Sequence, residues 1–369
     1  MNNSPLPSYL LTYPTVFAVG DEYQIFAPFS DEVIFWVEVG DHAYYDHSNG
    51  ILRSGTNMHC VKLPMAVLDE RGEYTVVYRK MINRAPYFPS SEEERRLTIP
   101  FRPVKSEGAI NLYHISDAHN RVNEPIAAGQ FFGDALDLLI LNGDIPDHSG
   151  DVKNFNAICK IASGVTKGEI PVVFARGNHD TRGIHAEDMP NYIPTKDGRT
   201  YYTFRVGALW GLVLDCGEDK SDDHPEYGHT VCFHQFRLEE TEFLRRIIAN
   251  HEREYDAPGV NCRLVISHIG FTHIAAPPFD IEQELYGEWT RLVGKMNPDL
   301  LLYGHYHTVA ICPPGGPFDQ QGQPCTAVIG SKPTEQGFVG CGITLHPDGR
   351  KRIVFNDETG NILTDEVIK

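Results

Sequence analysis

Gly177-Asn178-His179-Asp180 follows the apolar run Ile170-Pro171-Val172-Val173-Phe174-Ala175. A short apolar run that ends in glycine and polar residues reads as a buried strand whose far end carries functional side chains. Four further stretches share the trait. Ser116-Asp117-Ala118-His119 follows Ile110-Asn111-Leu112-Tyr113-His114-Ile115, and Asn142-Gly143-Asp144 follows Leu138-Leu139-Ile140-Leu141. Ser267-His268 ends Leu264-Val265-Ile266, and Gly304-His305-Tyr306-His307 ends Leu300-Leu301-Leu302-Tyr303. In open α/β sheets, sites gather beyond the carboxyl ends of such strands. Asp117, His119, Asp144, Asn178, His268, His305 and His307 are therefore expected to converge. Seven ligands are too many for one tetrahedral ion and suit two.

The rest of the composition bounds what this centre can serve. At 369 residues the chain exceeds one typical domain, and 41% hydrophobic residues allow a large core. No stretch approaches the apolar length of a membrane span. The formal charge of −18 argues against nucleic acid as a partner, because that affinity comes mainly from Lys and Arg. It leaves room for a small phosphorylated substrate, since bound cations supply local positive charge. Met1 to Gly20 contains no Lys or Arg and no signal-peptide pattern, so a cytoplasmic protein is expected. The eight cysteines show no CxxC spacing and are expected to be reduced thiols.

From Thr15 to about Phe101 the pattern is all-β. Val16–Val19, Tyr23–Ala27, Val33–Val37 and Tyr74–Tyr78 are rich in β-branched and aromatic residues, and turn signals such as Asn49-Gly50 and Arg71-Gly72 separate them. Strands at this spacing predict an immunoglobulin or fibronectin type III-like β-sandwich over residues 1–103. Pro100, Pro103 and Gly108 mark the expected boundary, and residues 104–369 form the second domain. There, strands alternate with helical patterns at Asp151–Ala162, Arg237–His251 and Glu282–Met296. A hairpin is expected around Gly207, and strands return near Ala327, Gly342 and Arg352. The sandwich contributes no motif residue, so a chain beginning near Lys105 is expected to retain some activity. The acidic run Glu218–Glu226 reads as an exposed, solvated insertion rather than a substrate lid.

Singly, the five stretches are commonplace; a Gly-Asp pair usually marks a turn. All five follow buried-strand patterns within one expected domain, which coincidence does not explain. Together they resemble the calcineurin-like metallophosphoesterases, whose pattern is Asp-x-His, Gly-Asp, Gly-Asn-His-Asp/Glu, a strand-ending His and Gly-His-x-His. The resemblance covers about Ala109 to Leu345 and implies a four-layer α/β/β/α sandwich with a two-metal site. It assigns Asp117, His119 and His307 to one metal, Asn178, His268 and His305 to the other, and makes Asp144 the bridge. An all-β domain ahead of this fold also resembles the layout of purple acid phosphatases. That branch has Gly where this chain has His119, and Tyr where it has Asp147, so the resemblance implies a complete site without a tyrosinate ligand.

The residue types suit the chemistry on their own terms. A bridging carboxylate sets two cations about 3.5–4 Å apart, close enough to hold one hydroxide and a phosphoryl oxygen between them. Mixed Asp, Asn and His ligands suit Mn, Fe or Zn, divalent or trivalent, better than Ca or Mg. His179, oriented by Asp180, is expected to donate a proton to the leaving oxygen. Arg182 and His148 lie just beyond ligands and are candidates for touching the phosphate. The expected activity is metal-dependent phosphoester hydrolysis, by a phosphatase or phosphodiesterase. A nuclease of the same superfamily, or a binding module with an inert metal site, is the alternative.

Overall fold

A computed structural model describes residues 6–369. The strands Ile110–Ile115, Leu138–Asn142 and Val172–Ala175 lie side by side and parallel at the centre of a ten-stranded sheet. Leu138–Asn142 and Val172–Ala175 are buried at every position, which explains why they read as unbroken apolar runs rather than alternating ones. Phe338–Leu345, Lys351–Asp357 and Ile362–Ile368 extend one wing antiparallel. The last of these was not expected, since ILTDEVI has no clean alternation; it is an exposed edge strand.

A second, six-stranded sheet runs Tyr202–Val206, Leu209–Leu214, Cys262–Ser267, Leu300–Tyr303, Ala327–Ile329, Ala310–Cys312. Its side chains alternate between two cores, as strand geometry requires. Leu264, Ile266, Leu300 and Leu302 belong to the core shared with the first sheet. Val265, Leu301 and Tyr303 pack instead with Leu244, Trp289 and Val293. Those three come from the paired helices Phe233–Ala249 and Gln283–Lys295. Helices Asn123–Gly129 and Asn156–Thr166 pack together against strands of the first sheet. The layers are therefore α/β/β/α. The expected Asp151–Ala162 helix is a short 3₁₀ turn, Val152–Phe155, capped by Asp151, followed by the α-helix.

The N-terminal strands divide between two layers. Val33–Val39, Glu73–Asn83, Arg95–Pro100 and His42–Tyr45 form a separate sheet. Thr15–Val19, Glu22–Pro28 and Met58–Pro64 continue the ten-stranded sheet, with Thr15–Val19 parallel to Val172–Ala175. The hydrogen-bonded sheet thus runs straight across residues 103/104. One hydrophobic cluster includes Phe17, Phe35 and Val61 as well as Leu112, Leu139 and Phe174. Tyr74 Oη also donates to Gly168 O at 3.0 Å. No helix among the described residues is long and apolar enough to cross a membrane. All eight cysteines are free.

Candidate metal centre

The two sheets present their carboxyl ends along one edge, and the seven expected ligands come from five strand ends there. Asp117 and His119 follow Ile110–Ile115, Asp144 follows Leu138–Asn142, and Asn178 follows Val172–Ala175. His268 follows Cys262–Ser267 directly, and His305 and His307 follow Leu300–Tyr303. Asp117, His119, Asp144, His305 and His307 all adopt positive φ, between 45° and 68°. Side chains other than glycine seldom occupy this region, and such strain concentrates at functional sites. The flanking glycines are needed for space. A Cβ on Gly177 would lie 2.2 Å from Asp144 Oδ1, and one on Gly143 would lie 2.6 Å from both Gly177 Cα and His268 Nδ1.

His268 shows that these residues fit a cation. Its Nδ1 lies 2.6 Å from Asn142 O, and a carbonyl can only accept, so Nδ1 carries a hydrogen. Nε2 then faces Asp144 Oδ2 at 3.1 Å and Asp117 Oδ1 at 3.8 Å. That nitrogen is buried and makes no hydrogen bond of acceptable geometry. A bare imidazole lone pair beside two buried carboxylates is unfavourable, so this pocket favours a positive charge, a proton or a metal ion, between them. Nearby, His119 Nε2 and His307 Nε2 are 3.0 Å apart, with His307 Nε2 3.5 Å from Asp117 Oδ1. His305 Nδ1 lies 3.0 Å from Asn178 Oδ1. Asp117, His119 and His307 have the spacing to share one cation, and so do Asp144, His268 and His305. A third overlapping group combines His119 with Asp147 and His179.

Without metal the charges are arranged to hold protons. Burial pushes the Asp117 carboxyl up to about 7 against the pull of His268. Burial also opposes charge on His268, but Asp144 wins and raises the imidazole to about 10. Asp144 is likewise opposed by burial, yet His268 holds it below the usual carboxylate range. Burial lowers His119 and His305 to about 4, so both are neutral at pH 7, the state in which imidazole ligates. At neutral pH a metal must therefore displace protons held between Asp117, Asp144 and His268. Uptake is expected to release protons, and affinity to fall as pH falls from 9 to 6, because protons compete better at low pH. Calorimetric titration in buffers of different ionisation enthalpy measures this directly. Proton-neutral uptake across that range contradicts it.

The calcineurin-like phosphoesterase family profile matches residues 110–309, more than half of the chain. The chain belongs to the calcineurin-like phosphoesterases. All seven expected ligands lie inside the matched segment. Metal-dependent hydrolysis of phosphoesters is the general chemistry this membership carries. Among solved structures, the purple acid phosphatase from yellow lupin (Lupinus luteus) seeds superposes with a TM-score of 0.61 at 11% identity, over 97% of this chain and 74% of that one. PhoD superposes with a TM-score of 0.57 at 12% identity, over 99% and 94% respectively. Both likenesses span the N-terminal β region, and at these identities they speak for the fold alone. No curated protein sequence matches the chain.

Around this calcineurin-like centre, the surroundings of Asp180, His179, Arg182 and His148 differ from what sequence order suggests. Asp180 does not orient His179: its Oδ2 accepts from Gly177 N at 2.7 Å and from Asp144 N at 3.3 Å, clamping the two motif loops together. His179 is held otherwise. Its Nδ1 donates to Asp147 O at 2.9 Å, leaving Nε2 as the acceptor for Arg182 Nη1 at 3.3 Å, so the resting ring offers no proton from Nε2. Arg182 is not a free phosphate-binding fork, because Nε and Nη2 engage Glu218 at 2.8 Å each. His148 is exposed and accepts from Gly150 N within its own turn; none of its hydrogen bonds reaches the ligands.

Glu218 and Asp219 were missed. The acidic run does not begin as a solvated insertion, since Glu218, Asp219 and Lys220 are buried and only its later residues include exposed ones. Buried Arg237 fixes the loop by donating to Cys216 O and Glu218 O. Asp219 Oδ2 lies 4.0 Å from His305 Nε2, and Oδ1 takes Tyr227 Oη at 2.9 Å and Lys220 Nζ at 3.0 Å. The signal was available: this stretch follows the buried strand Leu209–Leu214, one more strand end on the same edge.

Proposed function

We propose that the chain hydrolyses a small phosphoester with two transition-metal ions, Mn, Fe or Zn. Asp117, His119 and His307 would hold one ion, Asn178, His268 and His305 the other, with Asp144 between them. The observation that carries this reading is His268 Nε2, buried without a hydrogen bond and close to both Asp144 and Asp117. When bound, such ions lower the pKa of water and offset charge developing on phosphoryl oxygens.

The protein's own residues prepare the place. His179 N donates to Asp144 Oδ1 at 2.8 Å, which fixes that carboxylate from the side opposite His268. Asp117 accepts from His305 N at 3.0 Å, tying the first ligand to the last motif. The His307 side chain is half exposed, so the centre opens to solvent on that side. His179 packs edge-on against His119, with ring centroids 4.7 Å apart, and is the residue we place against the substrate. The formal charge of −18 favours a small ester over a polyanionic nucleic acid. The complete ligand set speaks for an active centre over an inert one.

The test is a panel of phosphomonoesters and phosphodiesters, assayed after chelation and again with each metal added back. At least one ester is expected to be hydrolysed only when metal is restored, with little dependence of KM on salt. A protein reloaded with metal that turns over no ester in the panel contradicts the reading.

A further inference from the structure

Arg182 stands three residues beyond His179 and is half buried, with three acidic side chains around it. Glu218, 1% exposed, grips Nε and Nη2. Asp219 lies 3.4 Å from Nη2, and Glu226 lies 3.5 Å from Nη1. Thr181 Oγ1 donates to the same Glu218 carboxylate at 3.0 Å, so the carboxylate is itself held. A guanidinium gripped in this way is a poor anion receptor, because its own counter-charges already saturate most of its donors. What it still directs inward is Nη1, toward His179 Nε2 at 3.3 Å.

We propose that Arg182 is a positioning residue that acts on the proposed phosphoester chemistry through His179, and that Glu218 is the residue that makes it rigid. The two hydrogen bonds on His179 work together. Asp147 O demands a hydrogen on Nδ1, and Arg182 Nη1 demands a bare Nε2. The two bonds agree on one tautomer and anchor the ring at both nitrogens, between Asp147 and Arg182. Glu218 sits on the loop after Leu209–Leu214 in the second sheet, whereas His179 sits on the loop after Val172–Ala175 in the first. The chain Glu218–Arg182–His179 therefore ties the two halves of the sandwich together at the reacting edge.

Arg182→Ala alone strands a buried carboxylate, so the test removes the pair together, as Arg182→Ala with Glu218→Gln, in the full-length metal-loaded protein. The expected loss is about 10–100-fold in kcat, typical of residues that support ligands from behind, with KM nearly unchanged. Adding His179→Ala to the pair should cost little more than His179→Ala alone, because the pair acts through that ring. Glu218→Gln alone should show a smaller loss of the same kind. A rise in KM with kcat retained, or losses that multiply with His179→Ala, overturns the proposal and makes Arg182 a phosphate contact. A second readout does not need turnover. In ¹⁵N NMR, His179 should carry its hydrogen on Nδ1 in the parent protein, and its Nε2 resonance should shift in the paired variant, where the Arg182 Nη1 donor is gone and Asp147 O remains. Unchanged ring-nitrogen signals overturn the proposal even if no ester is hydrolysed, whereas absent turnover alone counts against the proposed function.

Discussion

Asp144→Ala protein is expected to lose metal uptake and phosphoester hydrolysis together. Asp144 lies at the middle of the arrangement: Oδ2 faces His268 Nε2, Oδ1 accepts from His179 N, and its own N–H is clamped by Asp180. Removing the carboxylate takes away the negative charge nearest His268 and leaves buried donors without a partner. Residues that merely support metal ligands are worth about 10–100-fold in metal affinity, so on the proposed assignment, in which Asp144 lies between two ions, its loss should cost more than that for both. Asp144→Asn keeps an oxygen for His179 N but loses the charge, and should fold while binding metal weakly. Elemental analysis alongside an ester assay checks both variants. Asp144→Ala protein with parental metal content contradicts the assignment.

The second large effect concerns the N-terminal region. A chain beginning at Lys105 is expected to fail to fold as a soluble protein, in contrast to the expectation from sequence that it would retain activity. Deletion removes Thr15–Val19 from beside Val172–Ala175, the strand that delivers Asn178. That strand is fully buried, and Phe174 packs edge-on against Phe17 at 6.4 Å. Exposing a flat, apolar edge in mid-sheet creates a template for aggregation. Each buried Val or Phe that loses its cover costs about 1.5–3 kcal/mol. Val16, Phe17, Val19, Ile25 and Phe26 all lie in the shared core, so removing them uncovers apolar partners such as Val172 and Phe174 in the remaining chain, a serious loss against a typical domain stability of about 5–15 kcal/mol. Expression, solubility and thermal unfolding of the truncated chain measure this. A soluble, cooperatively melting protein that binds metal shows instead that the two regions fold apart.

Why the clustering of the motif residues could be read from sequence while their surroundings could not has a physical basis. Each ligand motif is local: a buried strand must be apolar, and the residues just past its end are free to be polar. Five such ends, at Asp117, Asp144, Asn178, His268 and His305, announce themselves without knowledge of which strands pair. Pairing is a different matter. Nothing in Thr15–Val19 distinguishes a partner in its own sandwich from Val172–Ala175, more than 150 residues away. Alternation specifies the buried face of a strand and not its neighbour. Side-chain direction within a turn is equally hidden. Asp180 follows His179 in sequence, yet the 3₁₀ turn His179–Thr181 sends its carboxylate back to Gly177 N. Glu218 and Asp219 misled through composition, because acidic runs are usually solvated. Their burial is offset by Arg182 and Thr181 at Glu218 and by Tyr227 and Lys220 at Asp219, contacts that composition does not reveal.

Elemental analysis of the full-length protein, reconstituted with Mn, Fe or Zn and freed of loosely bound ions, tests the central claim most directly. About two ions per chain are predicted, with hydrolysis that disappears on chelation and returns on add-back. A protein that retains no metal after reconstitution, or keeps full phosphoester hydrolysis after chelation and desalting, contradicts the account.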